Sequence, residues 1–342
     1  MRITVPVNII CGALGAGKTT AIAQLLANKP AHESWVVILN EFTDTGIDTL
    51  TLAAAARGSY DVRMIPGGCL CCTGEEDFRR QLSGLLASEH LPARIVIEPS
   101  GIGHPGAIIE ELRVFERSGA IKLSSAVVLI EPQRINELSS MSTLLRDQVD
   151  AADVVMLSKA EQAGFAMRER FKQWASELFP AKRYIGISER GILPVQALSP
   201  PVARFTFVNE QRLKSHDHSH ESPDANIESR TIQIGHETAQ AQVQRYLGRE
   251  ACGWLIPATV MFDLQQVARE LQQASALNQG AERIKAVLRT GIDHWHLVQR
   301  WGNQYAVREI AWRKDSRIEV QMAEGVQSNW SAWDTWLPTI VC

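Results

Sequence analysis

The stretch Gly12-Ala13-Leu14-Gly15-Ala16-Gly17-Lys18-Thr19 decides the fold, because it fits the pattern G-x-x-x-x-G-K-[ST] at every fixed position. It follows an apolar run, Ile3 to Ile10, that reads as a strand. Glycines at these places let the backbone turn tightly, so that successive N–H groups and a helix N-terminus point at the β-phosphate of a nucleoside triphosphate. Lys18 is expected to reach the β- and γ-phosphates, the Thr19 hydroxyl to bind Mg²⁺, and Thr20 to belong to the same nucleotide site.

Working outward, Val36 to Leu39, Arg94 to Glu98, Ala126 to Ile130 and Val154 to Leu157 are short β-branched runs separated by longer amphipathic stretches. Such alternation implies an α/β domain with a mostly parallel sheet and helices on both faces, of the P-loop NTPase kind, over residues 1–200. Ligands bind such sheets at the carboxyl ends of the strands. The polar stretch that follows, 201–229, reads as a linker and includes His216, His218 and His220. From 230 to 342 the pattern changes to a smaller α+β domain. Thr231 to Ile234, Arg283 to Leu288, Trp295 to Gln299, Tyr305 to Trp312 and Ile318 to Met322 are its strand candidates, forming a sheet of about four strands, with a Gly302-Asn303 turn. Leu264 to Leu271 and Trp330 to Leu337 keep helical spacing, and the tryptophans near the C-terminus read as core.

The 342 residues exceed the size at which one core stops growing, which agrees with two domains. A net charge of −3 offers no basic surface for nucleic acid. No apolar run approaches the roughly 20 residues that span a bilayer, and Met1 leads directly into a strand, so a cytoplasmic protein is expected. Six cysteines in a reducing compartment argue for thiols rather than disulfides.

Three of those cysteines crowd into Gly67-Gly68-Cys69-Leu70-Cys71-Cys72. Thiolates are soft ligands for zinc and similar ions, and the glycines permit the bends that converge close sulfurs on one centre. In extended backbone Cys69 and Cys71 share a face and Cys72 points away, so three-sulfur coordination needs a turn; two sulfurs with a carboxylate or imidazole are equally good chemistry. Buried or redox-active thiols are the alternative. Glu41, in Asn40-Glu41-Phe42 after the second strand, is the candidate fourth ligand, weighed equally against a solvated loop acid. His216, His218 and His220 are candidates for weak zinc binding.

Glu98, closing Ile95-Val96-Ile97, is placed for a role near magnesium or its waters, and Gly101 allows backbone close to a γ-phosphate. Ser158-Lys159-Ala160-Glu161 follows the strand ending at Leu157. There an acid can accept the guanine N1 and N2 hydrogens while the Lys159 stem stacks on the base; a helix start with Ser158 as its cap fits as well. No glutamine or arginine finger is evident from the sequence, which implies slow intrinsic hydrolysis.

These motifs, in this order, resemble the CobW-type metal-trafficking P-loop GTPases. The resemblance covers nearly the whole chain and also rests on Gly46-Ile47-Asp48, Pro66 through Cys72, Ile97 through Pro105, Cys252-Gly253-Trp254 and Arg283-Ile284-Lys285-Ala286-Val287-Leu288-Arg289. It implies a low-turnover GTPase using GTP/GDP, Mg²⁺ and Zn²⁺, with a CobW-like C-terminal domain. The reading built on it is a zinc metallochaperone or insertase acting on an unidentified client metalloprotein, with self-association left open. The rival readings are a zinc buffer or sensor with a structural nucleotide, and an assembly factor for a nickel, cobalt or iron enzyme. Ser158, Glu161 and Thr43 depart from the family pattern, the first two where Asn or Thr and Asp are usual and the last where Gly commonly follows the Phe.

Overall fold

In the computed structural model the apolar runs pair into Val5–Gly12 (β1), Trp35–Glu41 (β2), Tyr60–Pro66 (β3), Arg94–Glu98 (β4), Ile121–Ile130 (β5), Val154–Leu157 (β6) and Tyr184–Ile187 (β7). Every pairing is parallel, and the order is β3-β2-β4-β1-β5-β6-β7. The structure describes residues 4–41, 60–66, 75–99, 105–140, 142–200, 226–246, 249–273, 275–312 and 314–342. Strands that are buried on both faces read as continuous apolar runs, and the central ones do so here. Ile10, Leu129 and Met156 form one core with Ile22 and Leu26 of helix α1 (Lys18–Asn28). Val128, Val155 and Leu157 form another with Leu145 and Val149 of Thr143–Ala151 and Phe171 of Phe165–Ser176. Helices therefore cover both faces of the sheet.

β3 and β7, which the sequence pattern does not reveal, are the two edges. Edge strands bury less and tolerate charge: β3 carries Asp61 and Arg63, and β7 is four residues long with a glycine inside.

The chain divides into two compact units, the second comprising Ala203–Cys342 with Phe179–Ala181. The expected linker lies largely outside the described residues, and its last part is already strand, because Asn226–Ile234 (β8) begins there. The second unit holds Glu237–Tyr246 (β9), Arg249–Pro257 (β10), Ala281–Arg289 (β11), Trp295–Trp301 (β12), Gln304–Glu309 (β13) and Asp315–Met322 (β14). They form an antiparallel sheet of order β13-β12-β11-β14-β10-β9-β8.

This corrects the expected four strands to seven. β9 escapes notice because its inward residues Ala239, Ala241 and Val243 are small and alternate with glutamines, composition that favours helix on propensity and gives a weak period of two. The strand expected over Tyr305 to Trp312 ends at Glu309, and Ile310 and Trp312 pack beyond it. The tryptophans are core as expected: Trp254 stacks on Trp333 with centroids 5.6 Å apart and meets Trp330 edge-on at 6.0 Å. Asp334 fastens the closing helix Trp330–Trp336, accepting from Trp254 Nε1 at 2.8 Å and from Arg230 at 2.7 and 3.1 Å. Cys252 belongs to this packing, with burial pushing its thiol pKa up to about 12.

Candidate nucleotide and metal site

The loop between β1 and α1 has the geometry of an anion cradle. Gly12 sits at φ +149°, and a Cβ there would lie 2.8 Å from the Leu129 carbonyl oxygen, so only glycine lets the loop leave β1 against β5. Gly15 and Gly17 follow at φ +83° and +86°, and Gly17 caps α1 without a side chain, leaving the first-turn N–H groups directed outward. Leu14 stands exposed at the tip, and Ala16 is buried beneath. Lys18 is 7 % exposed, and its Nζ donates to the Ala13 carbonyl across the loop at 3.3 Å.

Register brings the second acid to the cradle. β4 lies beside β1 with Ile97 opposite Ile9, so Glu98 ends its strand next to the start of the loop. The Thr19 hydroxyl meets the Glu98 carboxylate at 3.0 and 3.2 Å, and Glu98 is only 7 % exposed. A hydroxyl and a carboxylate at a helix N-terminus, with oxygen donors only, fit magnesium.

On the other side of β1, the segment after β6 differs from the helix-cap expectation. Ser158 is no helix cap: its amide and hydroxyl both donate to the Ile130 carbonyl, at 2.9 and 3.2 Å. Lys159 takes the left-handed conformation at φ 49° and forms an ion pair with Glu131 at 3.8 Å. Glu161 Oε2 accepts from the Arg190 amide at 2.9 Å, and this bond holds its carboxyl below the usual range. Behind it, the loop after β7 is tied in through Ser188, whose amide donates to Leu157 and whose carbonyl accepts from Ala160. Arg168 bridges both loops, donating to Ala160 O at 2.6 Å and to Glu189 at 2.8 Å. Gly191 packs against Thr20, where a Cβ would come within 2.9 Å of its methyl.

Sequence reasoning passed over Glu131, Arg168 and Ser188-Glu189-Arg190-Gly191. The one available signal was a polar, glycine-containing stretch after an apolar run, and the shortness of β7 hid it.

Cys69, Cys71, Cys72, Gly101, His216, His218 and His220 lie outside the described residues, as does the side chain of Glu41. The backbone of Glu41 is described: it is registered with Pro66, one residue before Gly67. Among the described residues no group of three or more His, Cys, Asp or Glu can hold a metal, and Cys11, Cys252 and Cys342 are free thiols. His294 pairs with Glu309, and His296 with the Thr290 hydroxyl, which are ordinary hairpin contacts. No helix among the described residues is long and apolar enough to cross a membrane.

Residues 6–185 match the CobW/HypB/UreG nucleotide-binding domain, more than half of the chain, and the chain belongs to that family. It is therefore a nucleotide-binding P-loop protein of the metal-handling class. Among its relatives is the zinc chaperone YeiR of Escherichia coli, 28 % identical over 326 residues, spanning 95 % of this chain and 94 % of that one. The zinc chaperone CobW of Pseudomonas aeruginosa is 28 % identical over 241 residues, 62 % of this chain and 64 % of its own. The Zn(II)-bound YjiA GTPase of E. coli aligns over 99 % of both chains at 18 % identity and a TM-score of 0.44.

Proposed function

We propose that this chain is a GTP-hydrolysing zinc metallochaperone, in which nucleotide state governs binding and release of zinc for a client metalloprotein. One observation carries the hydrolytic half: the buried Glu98 carboxylate within 3.0 Å of the Thr19 hydroxyl, under a glycine loop that already holds Lys18 in place. Lys18 and the loop amides stabilise charge on the transferring phosphoryl group, and Thr19 and Glu98 supply oxygen donors. Magnesium, when bound, neutralises the β- and γ-oxygens. Water is the nucleophile.

The base side rests on Lys159, held against Glu131, and on Glu161, whose carboxylate the Arg190 amide fixes at one oxygen. The metal half is supported by strand register. Glu41 stands opposite Pro66, and Cys69 follows three residues later, within the roughly 10 Å that three extended residues span. Relatives called zinc chaperones favour zinc as the cargo.

The test loads the purified protein with Zn²⁺ and GTP and follows phosphate and chelator-accessible zinc together in single turnover. Zinc released in step with hydrolysis supports delivery. Hydrolysis without a change in accessible zinc leaves a buffer or sensor, and sinks the proposal.

A further inference from the structure

Two loops leave the carboxyl edge of the first sheet side by side, 158–164 after β6 and 188–192 after β7, because these parallel strands end in register with Leu157 opposite Ile187. Backbone joins the loops where they start: the Ser188 amide donates to the Leu157 carbonyl at 2.7 Å, and the Ala160 amide to the Ser188 carbonyl at 3.0 Å. Further out the connection passes to side chains. Glu161 is exposed there, and its Oε2 accepts from the Arg190 amide at 2.9 Å.

Arg168 makes the rest of that connection. It is the fourth residue of the helix Phe165–Ser176, and helical side chains lean toward the N-terminus, so its guanidinium reaches back over the loop that precedes the helix. Nε donates to the Ala163 carbonyl at 3.0 Å, and Nη2 to the Ala160 carbonyl at 2.6 Å and to Glu189 Oε1 at 2.8 Å. Ala160 and Ala163 bracket Glu161 in the chain, and Glu189 precedes the Arg190 whose amide Glu161 accepts from. Arg168, Ala160, Glu161, Arg190 and Glu189 thus close a ring across both loops. Helix and ion-pair energetics do not account for the placement. A cation at a helix N-terminus opposes the macrodipole, and the Arg168–Glu189 pair, 28 % and 51 % exposed, is of the kind that adds little stability. What the guanidinium supplies is geometry, since a rigid plane of donors fixes its acceptors relative to one another.

We infer that Arg168 is a positioning residue for base selectivity: given the base-side role proposed above for Glu161, it holds the two loops at one spacing and so sets that carboxylate where it accepts from the N1–H and N2–H edge of guanine. Adenine offers a lone pair at N1 and no 2-amino group, so a fixed carboxylate discriminates between the bases, and one free to shift by ~1 Å does so less. None of the Arg168 hydrogen bonds reaches the phosphate cradle, so ATP, held chiefly through its phosphates, should be indifferent to this residue.

Competition binding of non-hydrolysable GTP and ATP analogues to the full chain with Mg²⁺ tests this in the wild type, Arg168→Ala, Arg168→Lys and Glu189→Ala, each checked by its melting curve. The wild type should prefer the GTP analogue. Arg168→Ala should lower that preference about tenfold, and entirely through weaker binding of the GTP analogue, whereas a purely structural role would weaken both analogues together. Arg168→Lys keeps the charge without the planar fork and should restore only part of the preference. Glu189→Ala removes one end of the ring at an exposed position and should lower the preference about fivefold. A preference within twofold of wild type in Glu189→Ala or in a folded Arg168→Ala, or affinities for both analogues that fall by one common factor, overturns the role of Arg168 alone. Equal affinities in the wild type overturn the base-side reading of Glu161, and this role with it.

Discussion

Exchanging GDP for a non-hydrolysable GTP analogue should tighten zinc binding at the Cys69, Cys71, Cys72 and Glu41 cluster. The sheet sets the distance over which this coupling acts. Glu98 is opposite Leu39 on β2, and Glu41 lies two residues further along the same strand. Two residues advance ~6.6 Å and one strand spacing adds ~4.8 Å at right angles, which puts the two strand ends about 8 Å apart. With zinc and the γ-phosphate bound beyond these strand ends as proposed, a working separation is about 10 Å. For one added negative charge and a divalent ion at that distance, Coulomb's law gives about 3 kcal/mol at an effective dielectric of ~20 and about 0.8 kcal/mol in water. Salt screening over a Debye length of ~8 Å trims the exposed limit further. The expected shift is roughly tenfold, toward tighter zinc in the triphosphate form because an added anion attracts the cation. Zinc must tighten the analogue by the same factor. Fluorescent-chelator competition in the two nucleotide states measures the shift directly. Zinc constants that agree within twofold would refute the coupling and leave a nucleotidase carrying an independent metal site.

Lys18→Ala should weaken triphosphate binding by about a hundredfold, near the upper range for a hydrogen bond to a charged group, while the melting curve stays cooperative; calorimetric titration checks both. Replacing Cys69, Cys71 and Cys72 together with serine should abolish tight zinc binding, whereas deleting 216–220 should remove only a weak component, and chelator competition that ranks them in the opposite order would reverse the assignment. Glu161 has a depressed folded-state pKa, so its ionised form persists below the usual carboxylate range and is lost only as pH falls through that lowered value. The preference for GTP over ATP should accordingly be flat from pH 8 to pH 5 in the wild type and fall in Glu161→Ala at every pH, as competition binding would report.

The loop Gly12 to Thr19, the acid Glu98 and the central strands were legible without coordinates, because each is written in contiguous residues whose chemistry or period is local. Fully buried strands such as Val154–Leu157 declare themselves as unbroken apolar runs. Edge strands and the small-residue strand β9 do not, since their stability comes from neighbours distant in sequence rather than from their own composition. Partnerships across the chain were likewise decided only by the tertiary structure. Sequence proposed Ser158 as a guanine-side residue or a cap; folding placed it against the Ile130 carbonyl and gave Glu161 to the Arg190 amide, 29 residues on. Register across the second sheet is the clearest case: antiparallel pairing alone sets Arg283, Lys285, Gln299, Trp301, Gln304 and Ala306 on one face, because side chains alternate along each strand.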